Sequence, residues 1–235
     1  MSDAATKPPH FLDQLNDIQR QAATAINGPV LVVAGPGSGK TRVLTYRIAH
    51  IIEQGAAPWE VLALTFTNKA AREMKERIEK EVGKRASNIW AGTFHSLFAR
   101  ILRVEAGHIG YPSNFTIYDT DDTKSLINTI IKGINLDKKV YQANAIKNRI
   151  SSAKSSLITP ILYAKNEELR SQDKAAKMPL VHKIYAQYVA RCKKAGAMDF
   201  DDLLFRLFEL FQNHPAVVKK YRQKFKYVLV DEFQD

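Results

Sequence analysis

The sequence predicts an α/β protein, a parallel β-sheet flanked by helices, with an all-helical subdomain inserted into it. Three observations lead there. Four short apolar runs carry the β-branched enrichment of buried strands, at residues 30–34 (VLVVA), 61–65 (VLALT), 89–92 (IWAG) and 227–231 (YVLVD). The first two are each followed by apolar residues at helical spacing, and strand-helix-strand order builds layers with right-handed crossovers. Between 111 and 197 the β-branched runs vanish, and amphipathic segments with many Lys, Ser and Asn take over. The domain reading is therefore an N-terminal tail at 1–11 expected to be disordered, a core built from 12–110 and 198–235, and a helical insertion at 111–197.

Each element has its own signal. After the first run, Val43, Leu44, Arg47, Ile48, Ile51 and Ile52 make a helical stripe that Gly55 stops. After the second, Asn68 reads as an N-cap, and Ala71, Met74, Ile78 and Val82 form one face ending at Gly83. In the insertion one helix begins near Asp121, and another runs over 183–194 with Ile184, Tyr188 and Cys192 on one side. Asp199 then opens a further helix before the last strand returns to the sheet.

Composition narrows the function classes. With 45% hydrophobic residues in 235, the chain can bury a real core. A formal net charge of +11 makes a field that favours polyanions, although excess lysine also serves plain solubility. Cys192 is the only cysteine, which excludes an intramolecular disulfide and a multi-cysteine zinc site and fits a reducing cytoplasm. No apolar run reaches the ~20 residues of a membrane span, and the N-terminus lacks a signal-peptide core.

Residues 34–41 (AGPGSGKT) lie between a strand-like run and a helix-like stripe. Glycines there let backbone N–H groups curl around phosphate oxygens, and the helix N-terminus adds its positive end. Ala34, Gly35, Pro36, Gly37, Ser38 and Gly39 form the cradle, Lys40 reaches the β- and γ-phosphates, and the Thr41 hydroxyl ligates Mg²⁺. Ala34 replaces the glycine that opens the strict pattern. The run at 228–235 (VLVDEFQD) ends an apolar strand in carboxylates, so Asp231 can hold the water shell of the metal and Glu232 can orient an attacking water. Together the two motifs predict a P-loop NTPase.

Six ordered blocks narrow the class: 15–22 (LNDIQRQA), 37–44 (GSGKTRVL), 65–74 (TFTNKAAREM), 92–96 (GTFHS), 199–203 (DFDDL) and 231–235 (DEFQD). In order and spacing the chain resembles superfamily 1 DNA helicases of the UvrD/Rep/PcrA group, from Leu12 to its last residue. The resemblance implies a RecA-like core, with ATP and Mg²⁺ as cofactors, Gln19 reading the adenine edge and Arg42 touching the nucleotide. It also implies that Thr65, Phe66, Thr67 and Asn68 face single-stranded DNA, with Phe66 stacking on a base, and that Thr93, Phe94 and His95 lie beside the same channel. On residue type alone Phe66 also suits core packing, Gln19 a helix surface, and His95 a cap. The three acids of 199–202 could suggest a metal, but an N-cap and first turn explain them more simply.

For the whole enzyme the resemblance implies 3′ to 5′ translocation on single-stranded DNA and unwinding at duplex junctions, with ATP between two cores of which this chain carries the first. Residues 1–235 alone are then expected to hydrolyse ATP slowly and unwind nothing. A nucleotide kinase and a non-hydrolysing DNA-binding module are the competing readings. A second phosphate-acceptor site and no stimulation by single-stranded DNA would support the first, and the intact Lys40, Thr41, Asp231 and Glu232 argue against the second.

Overall fold

The computed structural model describes residues 10–234. Along the chain run α1 (Asp17–Thr24), α2 (Lys40–Glu53), β1 (Val61–Thr65), α3 (Asn68–Val82), β2 (Trp90–Thr93), α4 (Phe94–Val104), β3 (Thr116–Tyr118), α5 (Thr120–Gly133) and α6 (Ala143–Ser155). Then follow α7 (Pro160–Lys165), α8 (Glu167–Ala175), α9 (Val181–Lys194), β4 (Ala197–Asp199), α10 (Phe200–Asn213), α11 (Pro215–Lys224) and β5 (Tyr227–Val230). These elements form two units, one from the residues up to Leu97 together with those from Val218, the other from Phe98 to Val217. The sequence boundaries at 111 and 197 both fall inside the second. Of the tail at 1–11, residues 1–9 lie outside the described residues. His10 and Phe11 instead belong to defined structure: the His10 ring accepts from the Leu12 N–H and caps a 3₁₀ turn, Phe11–Gln14.

In the first unit the sheet order is β2-β1-β5, parallel throughout. All five residues of central β1 are buried, as a strand covered on both faces requires. Its register sets Thr65 beside Thr93 and Leu64 beside Val230, which brings the carboxyl ends of the three strands to one edge. That is the edge at which open α/β sheets bind ligands. The core joins Ile48, Ile51 and Ile52 of α2 to Val61 and Ala63 of β1 and to Met74 and Ile78 of α3. Each of these side chains larger than alanine contributes about 1.5–3 kcal/mol by leaving water.

Two expectations need correction. The N-cap of α3 is Thr67 and not Asn68, because the Thr67 hydroxyl accepts from the Ala70 N–H at 3.1 Å and satisfies an orphan donor of the first turn. Residues 30–34 form no strand. The run pairs with neither edge strand, β2 or β5, and Leu31 and Val33 stand 73% and 88% exposed. β-Branched composition suits a ladder but does not create one without a neighbour to bond.

The second unit is helical, as its texture predicts. Ile127, Ile130 and Ile131 of α5, Ile146 and Ile150 of α6 and Ile184, Tyr185 and Tyr188 of α9 share one buried cluster. The short parallel pair β3 and β4 is an addition that the sequence did not signal. Three residues per strand are too few for a readable alternation.

Candidate functional site

The phosphate loop is shaped by its glycines. Gly37 and Gly39 adopt φ of 75° and 84°, the left-handed region that a side chain disfavours. A Cβ on Gly39 would also come within 3.0 Å of Gln19 Nε2. Gln19 is placed there by the start of α1, where Asn16 and Gln19 form a reciprocal capping box. Its amide donates to the Ser38 carbonyl at 2.9 Å, so the residue assigned to adenine braces the loop directly. Lys40, the first residue of α2, donates from Nζ to the carbonyls of Ala34 and Gly35 at 3.0 and 3.2 Å. The ammonium thus lies folded over the loop into which phosphates would fit.

Thr41 and Asp231, 190 residues apart in the chain, meet here: the Thr41 hydroxyl donates to Asp231 Oδ2 at 3.3 Å. Asp231 is buried just past β5, and its N–H continues the ladder to the Leu64 carbonyl at 2.9 Å. A hydroxyl and a carboxylate oxygen side by side are donors of the kind Mg²⁺ takes while keeping waters and phosphate oxygens as its other ligands. Glu232 sits at φ 55°, which costs a non-glycine residue about 1–3 kcal/mol, and its N–H donates to Asp231 Oδ1 at 3.2 Å. Lys40, Thr41, Arg42 and Glu232 line one open cleft of about 570 Å³. Arg77 of α3 lines it too. Nothing in the sequence marks Arg77, since it is one charge among many on the polar face of that helix.

The other predicted contacts divide by depth. Phe66, Thr67 and Asn68 are exposed at the carboxyl edge of β1, and Phe66 at 48% is not a core residue. Its ring meets Phe94 edge-on, with centroids 5.7 Å apart, so two aromatic rings stand together at that edge. His95 is half-buried in the first turn of α4. Thr65 and Thr93 lie deeper. They end β1 and β2 as register partners, only 1% and 6% exposed, and Thr93 Oγ1 accepts from the Ser96 N–H at 3.2 Å. Their side chains are buried at the ends of the two strands.

A family model described as the UvrD/REP helicase N-terminal domain matches residues 15–235. The chain belongs to this family. It is similar to the ATP-dependent DNA helicase PcrA of Bacillus subtilis, 46% identical over 226 residues that cover 96% of this chain and 30% of the relative. The PcrA proteins of Staphylococcus aureus and Leuconostoc citreum are each 44% identical, over 96% and 94% of this chain and 30% and 29% of theirs. The chain therefore spans about a third of the length of the curated relatives it matches.

In this UvrD/REP-type chain the acidic block at 199–202 has the structural role expected of it. Asp199 caps α10, its Oδ1 accepting from the Asp202 N–H at 2.8 Å, with Asp202 returning the bond to the Asp199 N–H. The partner of this block was not legible in the sequence. Lys154 of α6, 2% exposed, sets its ammonium 2.6 Å from Asp199 Oδ2 and 3.0 Å from Asp202 Oδ2. The Tyr188 hydroxyl donates to the same Asp199 oxygen at 2.7 Å. Burial alone would raise the Asp199 carboxyl, but the Lys154 charge and these hydrogen bonds outweigh it and hold it below its ordinary value. Burial likewise opposes the Lys154 charge, and the two carboxylates overcome it and raise the ammonium. No helix among the described residues is long and apolar enough to cross a membrane.

Proposed function

We propose that this chain is the N-terminal, nucleotide-gripping part of an ATP-dependent 3′ to 5′ DNA helicase of the UvrD/Rep/PcrA type, acting on single-stranded DNA and duplex junctions in the cytoplasm. The observation that carries the reading is the meeting of Thr41 with Asp231 beside Lys40, at the strand edge that also bears Phe66 and Phe94. One edge thus offers a triphosphate site and an aromatic platform together, which neither a kinase nor a passive binding module needs.

Lys40 and the amides of residues 35–41 would hold the β- and γ-phosphates, and Gln19 and Arg42 the remainder of the nucleotide. Thr41 and Asp231 would hold Mg²⁺, which supplies charge neutralisation on the phosphate oxygens. Glu232, kept at its strained turn, would orient the attacking water. Phe66, with Phe94 against it, would stack a base, while Thr67, Asn68 and His95 contact the strand beside it. Residues 12–110 and 198–235 would form the motor core, and 111–197 the inserted subdomain.

The test is nucleotide binding and single-strand-stimulated phosphate release, with Lys40→Ala beside wild type. Loss of a charge-assisted hydrogen bond should weaken Mg-ATP binding by about ten- to a hundredfold and abolish stimulation by DNA. Equal affinity in the two proteins would remove the phosphate-loop reading.

A further inference from the structure

Gln14 has no part in the functional reading so far. It ends the 3₁₀ turn Phe11–Gln14 just ahead of α1. Its side-chain oxygen nevertheless accepts from two donors on α2 at once, Arg42 Nη2 at 3.1 Å and the Tyr46 hydroxyl at 2.8 Å. Arg42 and Tyr46 lie one helical turn apart, and the guanidinium carbon sits 5.4 Å from the Tyr46 ring centroid. Tyr46 is itself immobilised. It is 6% exposed in a small cluster with Leu15, Ala23 and Val43, and Phe11 packs on it with ring centroids 5.6 Å apart. Arg42 is exposed and lines the cleft with Lys40 and Thr41. A long cation that would otherwise lose rotamer freedom on binding is thus already fixed, by a ring beneath it and an acceptor at one edge.

The neighbours on α2 turn to different partners. Thr41 reaches Asp231, which marks the end of the cleft for the metal and the terminal phosphate, whereas Arg42 reaches Gln14, ahead of α1 and Gln19. The nucleoside of a bound nucleotide belongs at the Arg42 end.

We propose that Gln14 is a positioning residue for the nucleotide: with Tyr46 it holds the Arg42 guanidinium at the nucleoside end of the cleft. Binding of a nucleoside triphosphate then depends on Gln14, and binding of a bare triphosphate chain does not. The inference rests on the nucleotide-cleft reading above.

The experiment is calorimetric titration of this chain with Mg-ATP and, separately, with Mg-tripolyphosphate, for wild type, Gln14→Leu, Gln14→Glu and Lys40→Ala. Gln14→Leu should weaken ATP about three- to tenfold and leave tripolyphosphate unchanged, the size expected for one or two lost hydrogen bonds. Gln14→Glu keeps an acceptor oxygen for both donors and should return ATP affinity to within about twofold of wild type. Both ligands are read on one protein sample, so a loss of fold would depress both. Equal loss of the two ligands, loss of neither, or no recovery with Gln14→Glu overturns the proposal. Lys40→Ala should weaken both ligands; if it weakens neither, the cleft reading itself falls and this proposal with it.

Discussion

In the unit that carries the phosphate loop, Lys40 and Arg42 keep their cationic ends at an open cleft, whereas in the helical unit Lys154 is 2% exposed and closed off by Asp199 and Asp202. The contrast extends to the acids. Among the described residues Asp231 takes only the Thr41 hydroxyl and the Glu232 N–H, one on each oxygen, while Asp199 takes bonds from Lys154, Tyr188 and the Asp202 backbone together. Similar residue types thus do opposite work. A polar group with open valences at a strand edge is available to a ligand, and one saturated in the interior fixes a helix junction, here α6 against α9 and the start of α10.

The largest expected effect tests the saturated side of that comparison. Lys154→Met leaves Asp199 buried without its cation and Asp202 with Arg206 alone, at 3.6 Å, and should destabilise the chain by about 3–5 kcal/mol in urea denaturation while leaving Mg-ATP affinity of the folded protein unchanged. Because the folded state raises the Lys154 ammonium, its stabilisation is fully present below the unfolded lysine value of about 10.4 and is lost as pH rises through the higher folded value. The gap between wild type and variant should therefore hold steady from neutral pH and close only in strong alkali. A loss under about 1 kcal/mol would mean that Lys154 is no lock, and the contrast between the units would dissolve.

Phe66 sharpens the open side. As a 48% exposed ring against Phe94, it should contribute little to folding and much to a stacked base. Phe66→Ala should weaken single-stranded DNA binding by about 1–3 kcal/mol without altering the salt dependence, since stacking releases no counterion. If DNA binding held and the protein melted instead, Phe66 would belong with the interior residues, as its residue type also allowed.

How much was legible follows from where each signal resides. The loop at 34–41, the Asp231-Glu232 pair and the stripe through Ala71, Met74 and Ile78 depend on spacing within one element, which sequence preserves. Lys154 was invisible because its partners lie 45 and more residues away and a lysine in an amphipathic helix ordinarily faces water. Gln14 and Arg77 were invisible for the same reason, being common polar residues made special only by what folds beside them. The misread strand at 30–34 shows the converse. Its composition is strand-like, but pairing belongs to the neighbour. The depth of Thr65 and Thr93 was not legible either, because β1 and β2 are buried along their whole length and exposure begins only with Phe66 and beyond.

The smallest effect concerns Thr67, which stands on both sides of the comparison. Its hydroxyl accepts from the Ala70 N–H as the N-cap of α3, yet the residue is exposed at the carboxyl edge of β1, the edge proposed to face DNA, and the same hydroxyl still has its own proton to donate to a phosphate. Thr67→Ala removes both functions and should cost about 1 kcal/mol of stability along with a modest loss of DNA affinity. Thr67→Asp separates them: its carboxylate caps the helix at least as well and favours the positive end of the dipole. The same carboxylate sets a negative charge against the DNA backbone. The melting temperature should accordingly recover in Thr67→Asp while single-stranded DNA binding falls below that of Thr67→Ala, most visibly at low salt where screening is weak. Recovery of both properties in Thr67→Asp would place the phosphate backbone away from this turn and leave Thr67 with the cap alone.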